Sequence, residues 1–283
     1  MSASPARTAS TASTATPAMA ASPATTARWL IAQHAGKLAF GDFPPGIAPA
    51  DLAAAYAAQD EFVRLKSRQC GRPVGWKIAL SNPEMQRMVG LDAPIAGRLL
   101  SRQVVGGPAR TGASAYGRLL IEFEIAVELA SDLPLPEGSC SREQAGAAVA
   151  ALRPAFELVD DRRADYAALS AQALQMVADN AMNEGAVLGQ RRDDWQSLDL
   201  AQIAGHVWCD GTPIGSGLGR DLMGHPLDAL AWLATGAAAR GQPMRKGEVA
   251  ILGSLVTSKF PQPGQVWRYE LDGFEALTLS IDP

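Results

Sequence analysis

The feature that most constrains this chain is an alternating segment from Arg118 to Ala130, which reads RLLIEFEIAVELA. Successive side chains of a β-strand point to opposite faces, so alternation at a period of two predicts one long strand here. Glu122 and Glu124 then share one face of that strand. The other face is apolar and suited to a core, with Ile121, Phe123, Ile125 and Val127.

The two carboxylates of this predicted strand allow two interpretations. Like charges on one strand face repel and glutamate is a poor strand former, so a hard divalent cation bound to both would remove the conflict. Alternatively, the strand lies at a sheet edge with its acidic face in solvent, which Glu128 on the same face favours. The spacing alone leaves both interpretations open.

A third glutamate, Glu157, lies inside the apolar stretch from Pro154 to Val159. A carboxylate buried in such a stretch is costly unless it is paired or metal-bound, whereas a surface position would leave it solvated. If Glu157 joins Glu122 and Glu124, the three form an all-oxygen ligand set. Such a set favours Mg²⁺ or Mn²⁺ over zinc or copper.

Lys77 is one of only five lysines and lies in the middle of the β-prone segment VGWKIAL, from Val74 to Leu80. Its side of the predicted strand otherwise carries small residues, Gly75, Ala79 and Ser81, which leave room for a ligand beside the ammonium group. Partial desolvation near a dication would ease the loss of its proton and suit acid–base chemistry. The alternative is a lysine whose ammonium group reaches solvent along the protein surface.

Two further polar pairs could contact a ligand. Asp179-Asn180 follows a predicted helix, where such a pair more often caps a turn. Gly253-Ser254 could bring a backbone N–H and a hydroxyl close to a ligand carboxylate, or could mark a β-bulge. The histidines have no metal-ligand spacing to one another; they are His34, His206 and His225.

The remaining pattern predicts a mixed α+β architecture. Residues 1–26 are Ala, Ser, Thr and Pro of low complexity, and we expect a disordered tail because such a segment buries too little apolar area to offset its ordering entropy. Ordered structure should begin near Ala27. Residues 27–73 are mainly helical, with Asp51 or Pro49 as the start signal of the longer helix, and residues 74–283 are rich in predicted strands. We therefore expect a single domain from residue 27 to 283.

Composition excludes several classes of protein. With 283 residues, 47% of them hydrophobic, the chain can bury a full core in at most two domains. No apolar run approaches the roughly 18 residues of a membrane span, and the net charge of −4 comes with no basic stripe for nucleic acid. The three cysteines are far apart and lack C-x-x-C spacing, which fits a reducing cytoplasm better than a disulfide framework.

Six segments resemble a known family in their order and spacing: GWKIALS at 75–81, IEFEIAVEL at 121–129, AFELVDDRR at 155–163, ADNAMNEGAVLG at 178–189, GHPLDALAWLA at 224–234 and GEVAILGSLV at 247–256. From about residue 28 to its end, the chain resembles the 2-oxo-4-pentenoate hydratase and 4-oxalocrotonate decarboxylase group of the fumarylacetoacetate hydrolase superfamily. The resemblance implies a β-rich core of the mixed roll or barrel type with N-terminal and flanking helices, and a homo-oligomer.

The resemblance also implies the site residues. Mg²⁺ or Mn²⁺ would be held by Glu122, Glu124 and Glu157. Catalysis on a small 2-oxo acid would involve Lys77 and Asp179. Substrate contacts are expected from Ser81, Asp160, Asn180 and Ser254.

The chain departs from the family pattern at three places near the expected substrate. Ser81-Asn82 stands where the family usually has Thr-Ser, and Asp160-Asp161-Arg162 stands where it often has Asp-Ser-Arg. Met182 ends a motif that is often Asp-Asn-Ala-Ser. The loss of a hydroxyl there bears on which acid is bound, whereas the metal ligands are retained.

The activity implied by the resemblance is that of a metal-dependent hydratase, a carbon–oxygen lyase that adds water to 2-hydroxypenta-2,4-dienoate and gives a 4-hydroxy-2-oxo acid. Three alternatives stay open. The same centre could decarboxylate a 2-oxo-hexenedioate-type diacid, which needs a second cationic or polar pocket, or it could hydrolyse a C–C bond of an acylpyruvate. The C–C hydrolases typically have an aspartate at the position of Glu157 and use a Glu–His pair on a lid to activate water, a pair that is not evident in this sequence. The chain could also be a catalytically silent subunit in a complex with a related decarboxylase or hydratase.

Overall fold

The computed structural model describes residues 22–133 and 138–283 of the chain. Within these residues the helices are α1 Pro23–Ala35, α2 Leu52–Cys70, α3 Pro83–Val89, α4 Arg142–Ala147, α5 Ala173–Ala178 and α6 Pro226–Ala239. The strands are β1 Pro73–Ala79, β2 Ile95–Leu100, β3 Val104–Gly106, β4 Ala109–Gly112, β5 Leu119–Leu129, β6 Val149–Asp160, β7 Asn183–Leu188, β8 Ala204–Cys209, β9 Thr212–Leu218, β10 Val249–Lys259, β11 Val266–Leu271 and β12 Leu277–Asp282. The prediction of a mixed α+β class is confirmed.

The strands form two sheets that enclose the main core. The strand order is β2-β1-β10-β5-β6-β7-β3 in the seven-stranded sheet and β4-β12-β11-β8-β9 in the five-stranded sheet. β5 is central, because it pairs antiparallel with β10 on one side and with β6 on the other. Its predicted apolar face lies between the sheets, where Phe123 contacts Phe156 of β6 and Tyr269 of β11. The interpretation of this segment as an edge strand is therefore wrong.

The first two helices begin at capped residues. α2 follows the predicted Asp51, whose carboxylate accepts a hydrogen bond from the first turn of the helix. α1 begins at Pro23 instead of near Ala27, because the Ser22 hydroxyl caps it and proline suits the first helical position. This corrects the end of the predicted tail, and the rest of that tail, residues 1–21, lies outside the described residues.

β6 begins inside a segment for which the sequence predicts a helix. The alanine-rich composition of Ser141 to Leu152 predicts a helix over the whole segment, but α4 ends at Ala147 and β6 begins at Val149. In the folded chain β6 pairs with β5 over the full length of β5. This long-range pairing overrides the local helix propensity of alanine.

The helices pack around the strands. Leu30 of α1 and Phe62 of α2 share a buried cluster with Leu100 of β2, so the N-terminal helices cover part of the seven-stranded sheet. Across the described residues, every helix is too short or too polar to span a membrane. The cysteines are all free thiols, at Cys70, Cys140 and Cys209.

Candidate active site

The register between β5 and β6 brings three glutamates together. Glu122 of β5 lies directly opposite Glu157 of β6, and Glu124 is two residues farther along the same face of β5. One carboxylate oxygen from each residue lies within 4.8 Å of the others. The sequence-predicted acidic residues therefore converge at one place in the seven-stranded sheet.

Two of these carboxylates are fully buried and incompletely satisfied. Glu124 and Glu157 are both 0% exposed, and Glu124 Oε1 and Glu157 Oε2 have no hydrogen-bond partner among the described residues. Burial, reinforced by the neighbouring glutamates, raises the pKa of Glu124 well above its ordinary value. Burial raises the pKa of Glu157 to about 7, against the opposing effect of Lys77. Buried, unpaired carboxylate oxygens in an all-oxygen set fit a hard divalent cation such as Mg²⁺ or Mn²⁺.

The other oxygen of each glutamate is oriented by a specific donor. The Gly253 N–H donates to Glu124 Oε2 at 2.7 Å, and the Ser258 hydroxyl donates to Glu122 Oε1 at 2.8 Å. The Asn183 amide donates to Glu157 Oε1 at 2.8 Å. These donors hold the three carboxylates in place beside one another. The sequence analysis missed Ser258 and Asn183, which no local pattern marks, and anticipated Gly253 only as a donor to a ligand.

Lys77 is buried beside this cluster. Its Nζ lies 2.9 Å from Glu157 Oε1 and 3.4 Å from the Ala181 carbonyl oxygen, and the residue is 1% exposed. Burial, the largest single influence, lowers its pKa, but the combined charge of Glu157, Glu122 and Glu124 outweighs burial and raises the pKa. The three glutamates thus favour the protonated form of Lys77, whereas the sequence-based expectation of easier proton loss refers to a lysine beside a bound dication.

A cavity of about 610 Å³ opens at this cluster. Its polar lining includes Lys77, Glu122, Ser81 and Ser254. The Ser254 hydroxyl is already engaged, because it donates to the Val256 carbonyl at 2.7 Å and accepts from the Phe123 N–H at 2.9 Å. Four of the residues predicted from sequence therefore border one cavity, with Glu124 and Glu157 clustered against Glu122.

Asp160, Asp179 and Asn180 are placed differently from the expectation that they contact substrate, because none of them lines the cavity. The Asp160 carboxylate accepts three backbone N–H groups and fixes the turn after β6; the donors are Gly117, Arg118 and Arg162. The Asn180 side chain binds the backbone N–H and carbonyl of Arg98 at 2.7 and 2.9 Å. Hydrogen bonds to other residues of the chain thus occupy these side chains.

The segment after Asp179 has an unusual backbone. Asn180, Ala181 and Met182 have φ values of 54°, 50° and 61°, in the left-handed region. Side-chain-bearing residues adopt this region at a cost of about 1 kcal/mol or more each, so a run of three needs strong support. The run directs the Ala181 carbonyl at Lys77 and leads into Asn183, which orients Glu157. This strained segment therefore positions two groups of the glutamate cluster.

Buried charges hold the start of the strained segment. The Asp179 carboxylate binds both Arg162 Nη2 and His34 Nε2. His34 Nδ1 lies 3.0 Å from Glu184 Oε1, and Glu184 also binds Lys66. The sequence analysis set His34 aside, and no local signal could have found it, because its partners are 145 and 150 residues away.

We expect His34→Gln to lower the free energy of unfolding by about 1–3 kcal/mol below pH 6.5, because glutamine keeps a hydrogen bond but not the charge. Burial, the largest influence, lowers the pKa of His34, and so does the nearby Lys66. The charge of Asp179 and the hydrogen bonds to Asp179 and Glu184 outweigh both and raise the pKa above 6.5. The charged His34 ring therefore contributes its full share of the free energy of unfolding below the unfolded-state pKa. This contribution is lost as the pH rises through the folded-state pKa.

Denaturant unfolding at several pH values measures this effect of His34. His206, which is half-exposed on β8, provides the control, and His206→Gln should leave stability unchanged. A difference between wild type and His34→Gln that grows as the pH rises would contradict the assignment.

Gly253 adopts a φ of +110°, and a Cβ added there would lie 2.5 Å from Ser81 Oγ. We expect Gly253→Ala to destabilise the protein by about 1–3 kcal/mol and to lower activity, because the strained backbone moves the N–H that orients Glu124. Gly236 in α6 is the matched control, since a Cβ there meets no atom within 4 Å. Gly236→Ala should stabilise the protein by up to about 1 kcal/mol, as measured by denaturant unfolding.

Known proteins resemble the chain over most of its length. No protein-family model matches it. The 2-hydroxyhexa-2,4-dienoate hydratase of Comamonas testosteroni is 36% identical over 203 residues, which cover 71% of this chain and 75% of that protein. The 2-keto-4-pentenoate hydratase of Paraburkholderia xenovorans (strain LB400) is 30% identical over 228 residues, which cover 81% and 83% of the two chains.

Solved structures share the fold. The 4-oxalocrotonate decarboxylase from Pseudomonas putida G7, complexed with magnesium and adipate, matches with a TM-score of 0.83 and 24% identity, over 92% of this chain and 97% of that chain. The fumarylpyruvate hydrolase from Pseudomonas aeruginosa, in complex with Mn²⁺ and pyruvate, matches with a TM-score of 0.56 and 15% identity, over 73% and 88%.

The fold is thus that of the fumarylacetoacetate hydrolase superfamily, as predicted, and it carries an acidic cluster beside a cavity. By its sequence, the chain belongs to the 2-keto-4-pentenoate hydratase family, in the hydratase and decarboxylase group of that superfamily.

Proposed function

We propose that the protein is a metal-dependent hydro-lyase that hydrates a 2-hydroxy-2,4-dienoate to a 4-hydroxy-2-oxo acid. The observation that carries this proposal is the convergence of three glutamates beside Lys77 at one cavity. Family membership supports the reaction class, because the curated relatives are named as hydratases of 2-keto-4-pentenoate or 2-hydroxyhexa-2,4-dienoate.

Glu122, Glu124 and Glu157 would hold Mg²⁺ or Mn²⁺. When bound, such an ion supplies Lewis-acid stabilisation of negative charge on an oxygen of the 2-oxo acid. The buried oxygens without partners on Glu124 and Glu157 are the structural support for this assignment. The ions in the two solved relatives, magnesium and Mn²⁺, agree with it.

The chemistry needs proton transfers that Lys77 is placed to serve. Ketonisation moves a proton from the C2 hydroxyl to C5 and leaves a C3–C4 double bond conjugated with the carbonyl. Water then adds its oxygen at C4 and a proton at C3. Lys77 is buried beside the glutamates and lines the cavity, so it is placed to assist proton transfer to the substrate or to hold the substrate carboxylate. Asp179 acts at a distance in this scheme, by holding the segment that carries Ala181.

The charges around the cavity favour the hydratase over the alternatives. Among the described residues that line it, Lys77 is the only cation, whereas Glu84 and Asp221 add negative charge. A diacid substrate of a decarboxylase would therefore find no second cation for its distal carboxylate. No histidine is among these lining residues either, so the cavity wall lacks the Glu–His pair expected of a C–C hydrolase.

A turnover assay tests this proposal. Purified protein with Mg²⁺ should convert 2-hydroxypenta-2,4-dienoate to the 4-hydroxy-2-oxo acid, and a chelator should abolish the reaction. Release of CO₂ from a 2-oxo-hexenedioate would instead support the decarboxylase. Absence of turnover on every acid, in a folded and metal-loaded protein, would support the silent-subunit alternative.

The assembly and the location belong to the same proposal. We infer a homo-oligomer in the cytoplasm, from the family resemblance and from the three free cysteines. Light scattering on the purified protein measures the number of subunits. Co-purification with a related decarboxylase or hydratase would show that the assembly contains a second kind of subunit.

A further inference from the structure

The His34 ring of α1 connects two carboxylates that lie on either side of the left-handed run. Its Nε2 binds Asp179, the residue before the run, and its Nδ1 lies 3.0 Å from Oε1 of Glu184, which follows two residues after the run. Among the described residues, no other side chain pairs with both carboxylates, because Arg162 binds only the first and Lys66 only the second. The ring therefore links both ends of residues 180–183 to α1.

Residues 180–183 carry two groups that contact the glutamate cluster. The Ala181 carbonyl accepts a hydrogen bond from Lys77 Nζ at 3.4 Å, and the Asn183 amide donates to Glu157 Oε1 at 2.8 Å. A shift of the backbone in this stretch moves both groups relative to the cluster. His34 does not line the cavity, so any effect that it has on the reaction passes through this stretch.

The hydrogen-bonding capacity of the ring decides whether both links can exist. The charged groups around it are Lys66 of α2, Arg162 after β6, Asp179 after α5 and Glu184 of β7. Burial raises the pKa of Asp179, but the charges of His34 and Arg162 outweigh burial and lower it. Burial likewise raises the pKa of Glu184, but Lys66 and His34 lower it to about 2.

The two carboxylates that face the ring are therefore ionised above acidic pH, and an ionised carboxylate only accepts hydrogen bonds. A neutral imidazole has one N–H and one acceptor nitrogen, so it donates to one of the two carboxylates and repels the other. The imidazolium form of His34 has two N–H groups and donates to both. The two links thus require the protonated ring.

We propose that His34 is a positioning residue for the hydration reaction, because its imidazolium holds residues 180–183 in the arrangement that orients Lys77. Glu157 is oriented through Asn183 in the same way. This proposal rests on the proposed hydratase function. When the ring loses its proton, one of its two links breaks and residues 180–183 shift. The rate therefore falls as the pH rises through the folded-state pKa of His34.

NMR titration tests the link from His34 to Lys77 without turnover. The ring signal of His34 is assigned by its loss in His34→Gln, and the ammonium signal of Lys77 by its loss in Lys77→Met. We expect the Lys77 signal of the wild-type protein to shift with the same midpoint as the ring of His34. This transition should be absent from His34→Gln. A Lys77 signal that stays constant while His34 titrates would overturn the proposal.

Steady-state kinetics at saturating Mg²⁺ test the effect on the reaction. With 2-hydroxypenta-2,4-dienoate at about pH 6, where the wild-type ring is charged, His34→Gln should lower kcat about 10- to 100-fold. KM and metal content should stay near the wild-type values. The wild-type kcat should fall through the midpoint that NMR gives for His34, and the profile of His34→Gln should lack this step. His206→Gln, on β8, is the control and should reproduce the wild-type profile.

The outcomes separate this inference from the function on which it rests. A folded His34→Gln protein with wild-type kcat and an unchanged pH profile would overturn the positioning role and leave the hydratase intact. A fall in kcat that only follows the folded fraction would also overturn it. Absence of turnover by the wild-type protein would overturn the hydratase, and the NMR titration would then decide the link from His34 to Lys77 by itself.

Discussion

Glu124→Gln should lower kcat by about a thousandfold or more, because it removes one of three carboxylates that would hold the metal ion. The amide can still accept the Gly253 N–H, so the fold is retained. The variant should also lose the rise in melting temperature that Mg²⁺ alone gives the wild-type protein. Steady-state kinetics, metal content after dialysis and thermal unfolding with and without Mg²⁺ measure the three effects.

The same substitution should stabilise the protein when a chelator is present. Glu124 is 0% exposed with one oxygen unpartnered, and a neutral side chain of the same shape relieves its repulsion with Glu122 and Glu157. We expect the free energy of unfolding in chelator to rise by about 1 kcal/mol or more. This opposition between stability and activity distinguishes a ligand role from a structural one, because loss of a structural contact would lower both.

Glu128→Gln is the matched control on the same face of β5. Glu128 is only partly buried and pairs with Arg191 outside the cavity, so its loss should change stability by about 1 kcal/mol or less and leave kcat and metal content unchanged. If Glu124→Gln retains wild-type rate and metal content, the ligand assignment is wrong.

Lys77→Met should lower kcat by about 10²- to 10⁴-fold, the range for loss of a positioned proton-transfer group. It should also destabilise the protein by about 3–5 kcal/mol in chelator, because the buried carboxylate of Glu157 loses Lys77, its only cationic partner among the described residues. Mg²⁺ should restore most of this stability but not the rate. Denaturant unfolding with and without Mg²⁺, together with kinetics at saturating Mg²⁺, separates the two effects.

Arg98→Met is the matched control for Lys77→Met. Arg98 is another buried cation, paired with Glu248 at 3.0 Å, and it does not line the cavity. Its loss should destabilise the protein without a comparable fall in kcat and without rescue by Mg²⁺. If both variants lose rate in proportion to stability, Lys77 serves the fold instead of the reaction.

The sequence by itself determined the elements whose pattern is local. Alternation fixed β5, and Asp51 marked the start of α2. Family resemblance added the fold type and singled out Glu157 and Lys77, for which spacing alone left two interpretations open. The course of β5 and the start of α2 follow from backbone periodicity and capping, which depend on residues only a few positions apart.

Only the tertiary structure decided which side chains meet. The register of β5 against β6 set Glu122 opposite Glu157, and β10 and β7 supplied the donors Ser258 and Asn183 that orient them. The left-handed run after Asp179 is likewise invisible in the sequence, because it is held by His34 and Arg162 from distant parts of the chain. Strand register and buried ion pairs are set by packing the whole core at once, so no local pattern encodes them.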